Sequence, residues 1–430
     1  MDISTYDYKL DNGIDLHVIS TKKFKTIHFN IFFHRALNKD TATLNALLPR
    51  VMKRGCQGFR DTIQIERFLE DIYGAGFGAD VLKKGERQII GFRLDIVHPK
   101  YTGDDALIDK GLSFLNDIIS KPLTIGEGFN QDYVEQEKQN LKDLIEGLIN
   151  DKAQYAVERC IQEMCKGEPF ATYVYGSTDA LPGINVNNLY EYYKDVVASS
   201  PVDIFILGDV EPDAIRDKAE AIFNWSRGAV KRIPKEIIKK AVTEPKEVVE
   251  RMDVLQGKLS LGLRTNTAPD DTAYPILMLY ASILGGGPHS KLFLNVREKA
   301  SLAYYAYARL EKYKGLMIIS SGIEIENYKK ALDIMLEQLD EMRRGIISSQ
   351  ELDFSKKALT TSLRSIMDSP QQLTDYYLSN AILKKHSTID QLIESINVAE
   401  MDQVVEIAQR INLDTIYFLA NKAMKGAERI

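Results

Sequence analysis

Along the chain the spacing of apolar residues changes in a set order, and each change marks an element. YDYKL and IDLHVIS alternate apolar and polar positions on either side of Asn12-Gly13, the pattern of a β-hairpin. TIHFNIFF continues it as a third strand. ATLNALLPRVMKRG then switches to helical spacing, with Leu44, Leu47, Leu48 and Val51 on one side, and Pro49 is expected to disturb that helix. IQIERFLEDIYGAGF reads as a second amphipathic helix stopped at Gly74 and Gly76, and ADVLKKGERQIIGFRLDIV as a strand pair. Helical patterns prevail from Asp104 to about Lys166, after which PVDIFILGDV reads as a strand.

Residues 226–250, rich in Lys, Glu and Pro, carry no period and read as a linker. The order of elements then repeats: a strand at KLSLGLRT, a helix at AYPILMLYASILGG, a strand pair from SLAYYAYARL to KGLMIISSGIE, long helices, and a closing strand at DTIYFLA. VDIFILGDV and DTIYFLANKA are alike at the two ends of this repeat. The pattern predicts an α+β fold of two homologous domains, 1–225 and 251–430, each a mostly antiparallel sheet with helices packed on one face.

A length of 430 residues suits two cores, and 44% hydrophobic with 27% charged residues is the composition of a globular chain. A net charge of −6 gives no basic face for nucleic acid. The start, MDISTYDYKLDNG, has the character of neither a signal nor a transit peptide, and no apolar run reaches membrane-spanning length. Three cysteines, Cys56, Cys160 and Cys165, are a sparse and odd set that points to a reducing compartment. A cytoplasmic protein with no nucleic-acid or membrane partner is expected.

The stretch GGGPHSKLFLNVREKASLAYYAYARL, residues 285–310, stands out. Gly285, Gly286 and Gly287 can stop one helix, with Pro288 opening the next, or let a peptide approach the backbone. No Gly-Lys-Ser/Thr follows to hold a phosphate. Arg297-Glu298-Lys299 can be a solvated helix end, and Tyr304, Tyr305 and Tyr307 ordinary strand residues.

The same stretch resembles the signature of the pitrilysin/insulinase family of zinc peptidases, the inverzincins. The matching residues are Gly285 to Gly287, Ser290, Leu292, Phe293, Arg297, Glu298, Lys299, Leu302, Ala303 and Tyr304. The Asn-Gly hairpin, Lys53-Arg54-Gly55, FLEDIYGAGFGADV and EPFATYVYGS extend the resemblance over both halves, and the chain looks most like the YmfF-type bacterial branch of processing-protease-like proteins. The resemblance implies two homologous domains forming a clamshell around an extended peptide. It also implies that Arg297 and Tyr304 reach a substrate beside the zinc, where a guanidinium fork and a phenol suit a peptide carbonyl or the oxyanion that develops on it.

The family's His-x-x-Glu-His motif, aligned on the turn at Arg54-Gly55-Cys56, falls on Ala46, Leu47, Leu48, Pro49 and Arg50, with Ala46, Pro49 and Arg50 at the ligand and base positions. None is a metal ligand. The third ligand position falls at or next to Leu144, where Asp143 or Glu146 could not restore a site lacking both histidines. Among the six histidines, His28 and His34 share one side of a strand but stand about 20 Å apart at ~3.3 Å per residue, while His17, His98, His289 and His386 are isolated in sequence. No metal or cofactor is expected on this chain. The resemblance implies a subunit without its own catalytic group, paired with a homologous His-x-x-Glu-His-bearing chain that supplies the zinc for peptide hydrolysis. The alternative is a non-enzymatic scaffold or peptide-binding protein of the same fold.

Overall fold

The computed structural model describes residues 3–422. The chain begins with β1 (Ser4–Lys9), β2 (Asp15–Ser20), β3 (Thr26–Ala36), α1 (Ala42–Met52), α2 (Thr62–Asp71), β4 (Gly76–Lys84) and β5 (Arg87–Val97). Next come α3 (Leu107–Ser120), the two-residue strands β6 (Thr124–Ile125) and β7 (Gly128–Phe129), α4 (Gln131–Gly147), α5 (Lys152–Met164), α6 (Val186–Ser199), β8 (Val202–Gly208) and α7 (Pro212–Ile222). Then follow β9 (Lys246–Met252), β10 (Gly257–Arg264), α8 (Tyr274–Gly285), a π-helical segment Phe293–Lys299, β11 (Ala303–Glu311) and β12 (Leu316–Ile323). Four helices, α9 (Tyr328–Arg343), α10 (Ser349–Ile366), α11 (Pro370–Leu383) and α12 (Ile389–Asn397), lead to α13 (Met401–Arg410) and β13 (Asn412–Asn421).

These elements form two compact units. The first runs to Glu146 and also holds Thr172–Lys235 and Pro370–Leu378; the second holds Gly147–Ala171, Glu236–Ser369 and the residues from Ser379 on. The first sheet has the order β1-β2-β8-β3-β5-β4, with β2 and β8 its parallel pair. The second has the order β11-β12-β10-β13-β9, with β13 and β9 parallel. Setting β4, β5, β3, β8 and β2 against β11, β12, β10, β13 and β9 gives the same order and the same parallel pair. The repeat read from the sequence is therefore present in the topology, and β1 is the strand without a counterpart.

Alternation decides which face each strand buries. Ile27, Phe29, Ile31 and Phe33 of β3 join the first core with Leu47 and Leu48 of α1 and Leu112 and Leu115 of α3. Leu259, Leu261 and Leu263 of β10 do the same in the second unit, with Leu277 and Leu284 of α8 and Met335 of α9. Each such side chain, fully buried, is worth roughly 1.5–3 kcal/mol.

The opposite face of the second sheet is covered as well. Val157, Ile161 and Met164 of α5 pack on Leu316 and Ile318 of β12, and Cys160 packs with Tyr417 and Leu419 of β13. A Cβ at Gly262 of β10 would lie 2.7 Å from Met164 Sδ, so the glycine sets how closely α5 approaches. A helix from the first half of the sequence thus completes the second unit, and the first turns of α11 belong in return to the first unit, where Gln371 and Asp375 bond Arg93 and Lys84.

Two local outcomes differ from the sequence reading. Pro49 lies inside α1 without breaking it, because it sits in the last turn, where its missing N–H removes a single hydrogen bond, and its ring is buried. Of the segment 226–250, residues 246–250 already belong to β9, the counterpart of β2. No helix among the described residues is long and apolar enough to cross a membrane.

Candidate functional site

Two places carry the residues singled out in the sequence. The first is α1. Ala46 and Pro49 are buried in the first core, and Arg50 extends from the helix toward β4. Its Nη2 lies 3.3 Å from Asp80 Oδ1, and its guanidinium carbon lies 5.5 Å from the ring centroid of Tyr175. Asp80 also accepts from the Val81 N–H at 2.8 Å and from the Tyr175 hydroxyl at 3.5 Å. Burial, with the Asp80 charge beside it, pushes the Tyr175 phenol up from its ordinary value. A methyl group, a pyrrolidine ring and a permanently protonated guanidinium offer a metal no lone pair.

Leu144 on α4 is exposed, Asp143 accepts from Gln139, and Glu146 lies 3.9 Å from Lys142. Among the described residues no three of His, Cys, Asp and Glu come together to hold a metal ion. These residues do not fit the zinc of the family's peptidases. What ties α1 to α4 is an arginine: Arg54 reaches Glu137 at 3.4 Å and Gln136 at 2.6 Å, and its guanidinium lies over the Tyr133 ring.

A polar network beside this helix escaped the sequence reading. The Tyr192 hydroxyl donates to Asn45 Oδ1 at 2.7 Å, Asn45 donates to Gln88 at 2.8 Å, and Gln88 donates to the carbonyls of Ala42 and Val174. These residues are far apart in sequence, and only the fold brings them together.

The second place is the run 285–310. Gly285 ends α8 against β11, where a Cβ would lie 2.3 Å from the Ala308 nitrogen. Close packing of a helix end on a strand therefore accounts for this glycine. Gly286 caps α8, its N–H donating to the Ser282 carbonyl, and the Gly287 carbonyl accepts from both the backbone N–H and the hydroxyl of Ser290. The segment that follows is not an α-helix end. Phe293–Lys299 is π-helical, and the Leu302 N–H closes back onto the Val296 carbonyl at 3.1 Å, with Ser301 in the left-handed region at φ 53°.

Lys291 anchors the start of this segment, its Nζ lying 3.0 Å from Glu341 and 3.1 Å from Glu351 with little solvent contact. Asn295 ties the middle to Gln338 at 2.7 Å. Arg297 is left with its guanidinium 4.6 Å from the Phe293 ring centroid and 3.7 Å from Glu298, its side chain 42% exposed.

Tyr304 lies on β11, the edge strand of the second sheet. Ala303 pairs with Ile323 and Tyr305 with Gly322, so Tyr304 is the extra residue of a β-bulge, and it is 78% exposed. Tyr305 and Tyr307, two apart on one face, stack at 5.7 Å, and Lys258 lies over Tyr305. No hydrogen bond joins Arg297 to Tyr304 among the described residues. The two stand on either side of the turn through Ser301, and both are exposed.

Comparison with known proteins adds to this geometry. Residues 183–359 match the family described as "Peptidase M16 inactive domain". The chain is 36% identical over 416 residues to "Probable inactive metalloprotease YmfF" of Bacillus subtilis, covering 96% of this chain and 97% of that protein. A solved structure of a conserved protein from Enterococcus faecalis V583 superposes with a TM-score of 0.91 at 28% identity, covering 98% of this chain and all of the other. The peptidase M16 inactive domain from Pseudomonas fluorescens superposes with a TM-score of 0.82 at 16% identity, covering 99% and 100% of the two chains, and shows the same fold.

Proposed function

The chain belongs to the M16 peptidase family, the pitrilysin/insulinase family, among its inactive homologues, and on that premise we propose that it is a substrate-binding subunit completed by a related chain bearing His-x-x-Glu-His. The observation that supports this reading is a contrast within one molecule. The α1 residues that the His-x-x-Glu-His alignment sets at the two ligand positions are an alanine and an arginine engaged with Asp80, with a proline at the base position. The run 285–310 nevertheless keeps its glycine-backed turn, and Arg297 and Tyr304 remain exposed on a π-helical segment and a bulge, two irregular backbones of the kind that aim side chains at ligands.

On this reading the zinc resides on the partner, and this chain contributes donors only. Arg297 holds the carbonyls of an extended peptide through its fixed fork, and Tyr304 offers its hydroxyl to the oxygen on which negative charge grows. Neither group takes a proton from water near neutral pH, so the chain alone performs no hydrolysis. A tagged pull-down from the native host tests the pairing. The expected result is a partner of similar size carrying His-x-x-Glu-His, with peptidase activity in the eluate that a chelator abolishes. Recovery of the chain alone with no cleavage would instead make it a scaffold or peptide-binding protein of the same fold.

A further inference from the structure

Two histidines on different strands, His17 and His34, meet in the first sheet, on the face opposite its core. His17 of β2 places Nδ1 2.6 Å from Asp7 Oδ1 of β1 and Nε2 3.0 Å from Asp203 Oδ1 of β8. His34 of β3 places Nε2 2.7 Å from the other oxygen of Asp203. The imidazole of His17 stacks on Phe205 at 4.4 Å and is largely buried. Asp7, His17, Asp203 and His34 thus form a continuous chain of acidic and imidazole groups across four neighbouring strands, from an exposed edge to the interior.

An ionised carboxylate only accepts hydrogen bonds, and a neutral imidazole has one N–H. With carboxylate oxygens on both sides, a neutral ring would set one lone pair against another at hydrogen-bond distance. We propose that His17 is held as an imidazolium ion whose two N–H groups clasp the edge strand β1 to the middle of the sheet, and that removing its proton unfastens β1. The charged groups facing it are Asp7 from β1 and Asp203 from β8, with His34 of β3 behind Asp203 and the Lys9–Asp15 pair farther along the β1–β2 ladder. On the other face α7 meets Tyr8, whose hydroxyl bonds Asp213 and whose ring lies under Arg216. Burial opposes the charge on His17, but Asp203 and Asp7 outweigh it and hold the imidazole at about 9.

The folded value lies above the ordinary 6.5, so the clasp is closed at neutral pH and opens as pH rises through about 9. Its loss frees β1, which is exposed along most of its length, and bares the edge of β2 to other strands. The test is a histidine-labelled NMR titration of the full chain from pH 6 to 10, read together with the backbone amides of Ser4–Lys9. The expected result is a His17 midpoint near 9, with the β1 amides shifting in step. In Asp7→Asn, His17 should lose about tenfold or more of its proton affinity. The β1 amides should then stop following the ring. A His17 midpoint at or below 6.5, or β1 amides that do not respond as His17 titrates, overturns the proposal.

Discussion

Arg264 has no exposed surface, and its guanidinium forks onto Glu168, Nη2 to Oε1 at 2.7 Å and Nη1 to Oε2 at 3.2 Å. Lys240 and Lys314 reach the same carboxylate at 2.6 and 2.8 Å, and Asp414 takes Arg264 Nε at 2.9 Å. Glu168 lies on the segment that the first half of the sequence sends into the second unit, so it fixes that segment in place.

Glu168→Gln should therefore destabilise the chain by about 2–4 kcal/mol, less than for a wholly buried pair because the carboxylate keeps some solvent contact. Burial would raise the Glu168 carboxyl, but Arg264, Lys240 and Lys314 overcome it and hold it at about 2. Since the folded value lies below the ordinary 4.5, this contribution is present above about pH 4.5 and is lost as pH falls toward 2. Urea unfolding at neutral and acid pH measures both effects. A midpoint unaltered by the substitution at pH 7 would contradict the role.

Gly285→Ala drives a methyl group into the β11 backbone at Ala308 and should cost about 1–3 kcal/mol. At about 2–4 °C per kcal/mol the melting temperature should fall visibly. An unchanged melting curve would mean that α8 can shift away from β11 without loss.

Arg54, just past the end of α1, ties that end to α4 through Glu137 and Gln136. Arg54→Met should lower stability by about 1–2 kcal/mol, since Glu137 is left buried without its cation. A strong chelator should leave the melting temperature within about 1 °C, because Arg54 holds Glu137 and Gln136 by charge and hydrogen bonds and not through an ion. A chelator-induced fall of several degrees would show a metal site that α1 does not provide.

The doubled α+β plan was legible because strand and helix periods announce themselves locally: TIHFNIFF alternates and ATLNALLPRVM does not. That Ala46, Pro49 and Arg50 carry no metal-ligating group was legible too, since those residues are read off directly. What each helix covers was not. Nothing in the period of Lys152–Met164 says that Val157 and Ile161 will lie on β12 and not on the first sheet, because an apolar stripe does not name its partner. His17 and His34 looked unrelated because only the pairing of β2, β8 and β3 brings Asp203 between them. The π-helical turn before Ser301 and the bulge at Tyr304 depend on anchors such as Lys291–Glu341 and Asn295–Gln338, contacts distant in sequence that leave no local pattern.

The measurement that tests the central claim most directly is the turnover of a peptide by the reconstituted pair, with this chain either intact or carrying Arg297→Ala or Tyr304→Phe. Both side chains are exposed, so neither change should alter the melting temperature of the chain. Loss of a transition-state donor predicts a fall in turnover of about 10²-fold for Tyr304→Phe, and loss of the clamp on the peptide carbonyls predicts a lower kcat/KM for Arg297→Ala. Turnover equal to that of the intact pair in both variants would contradict the account.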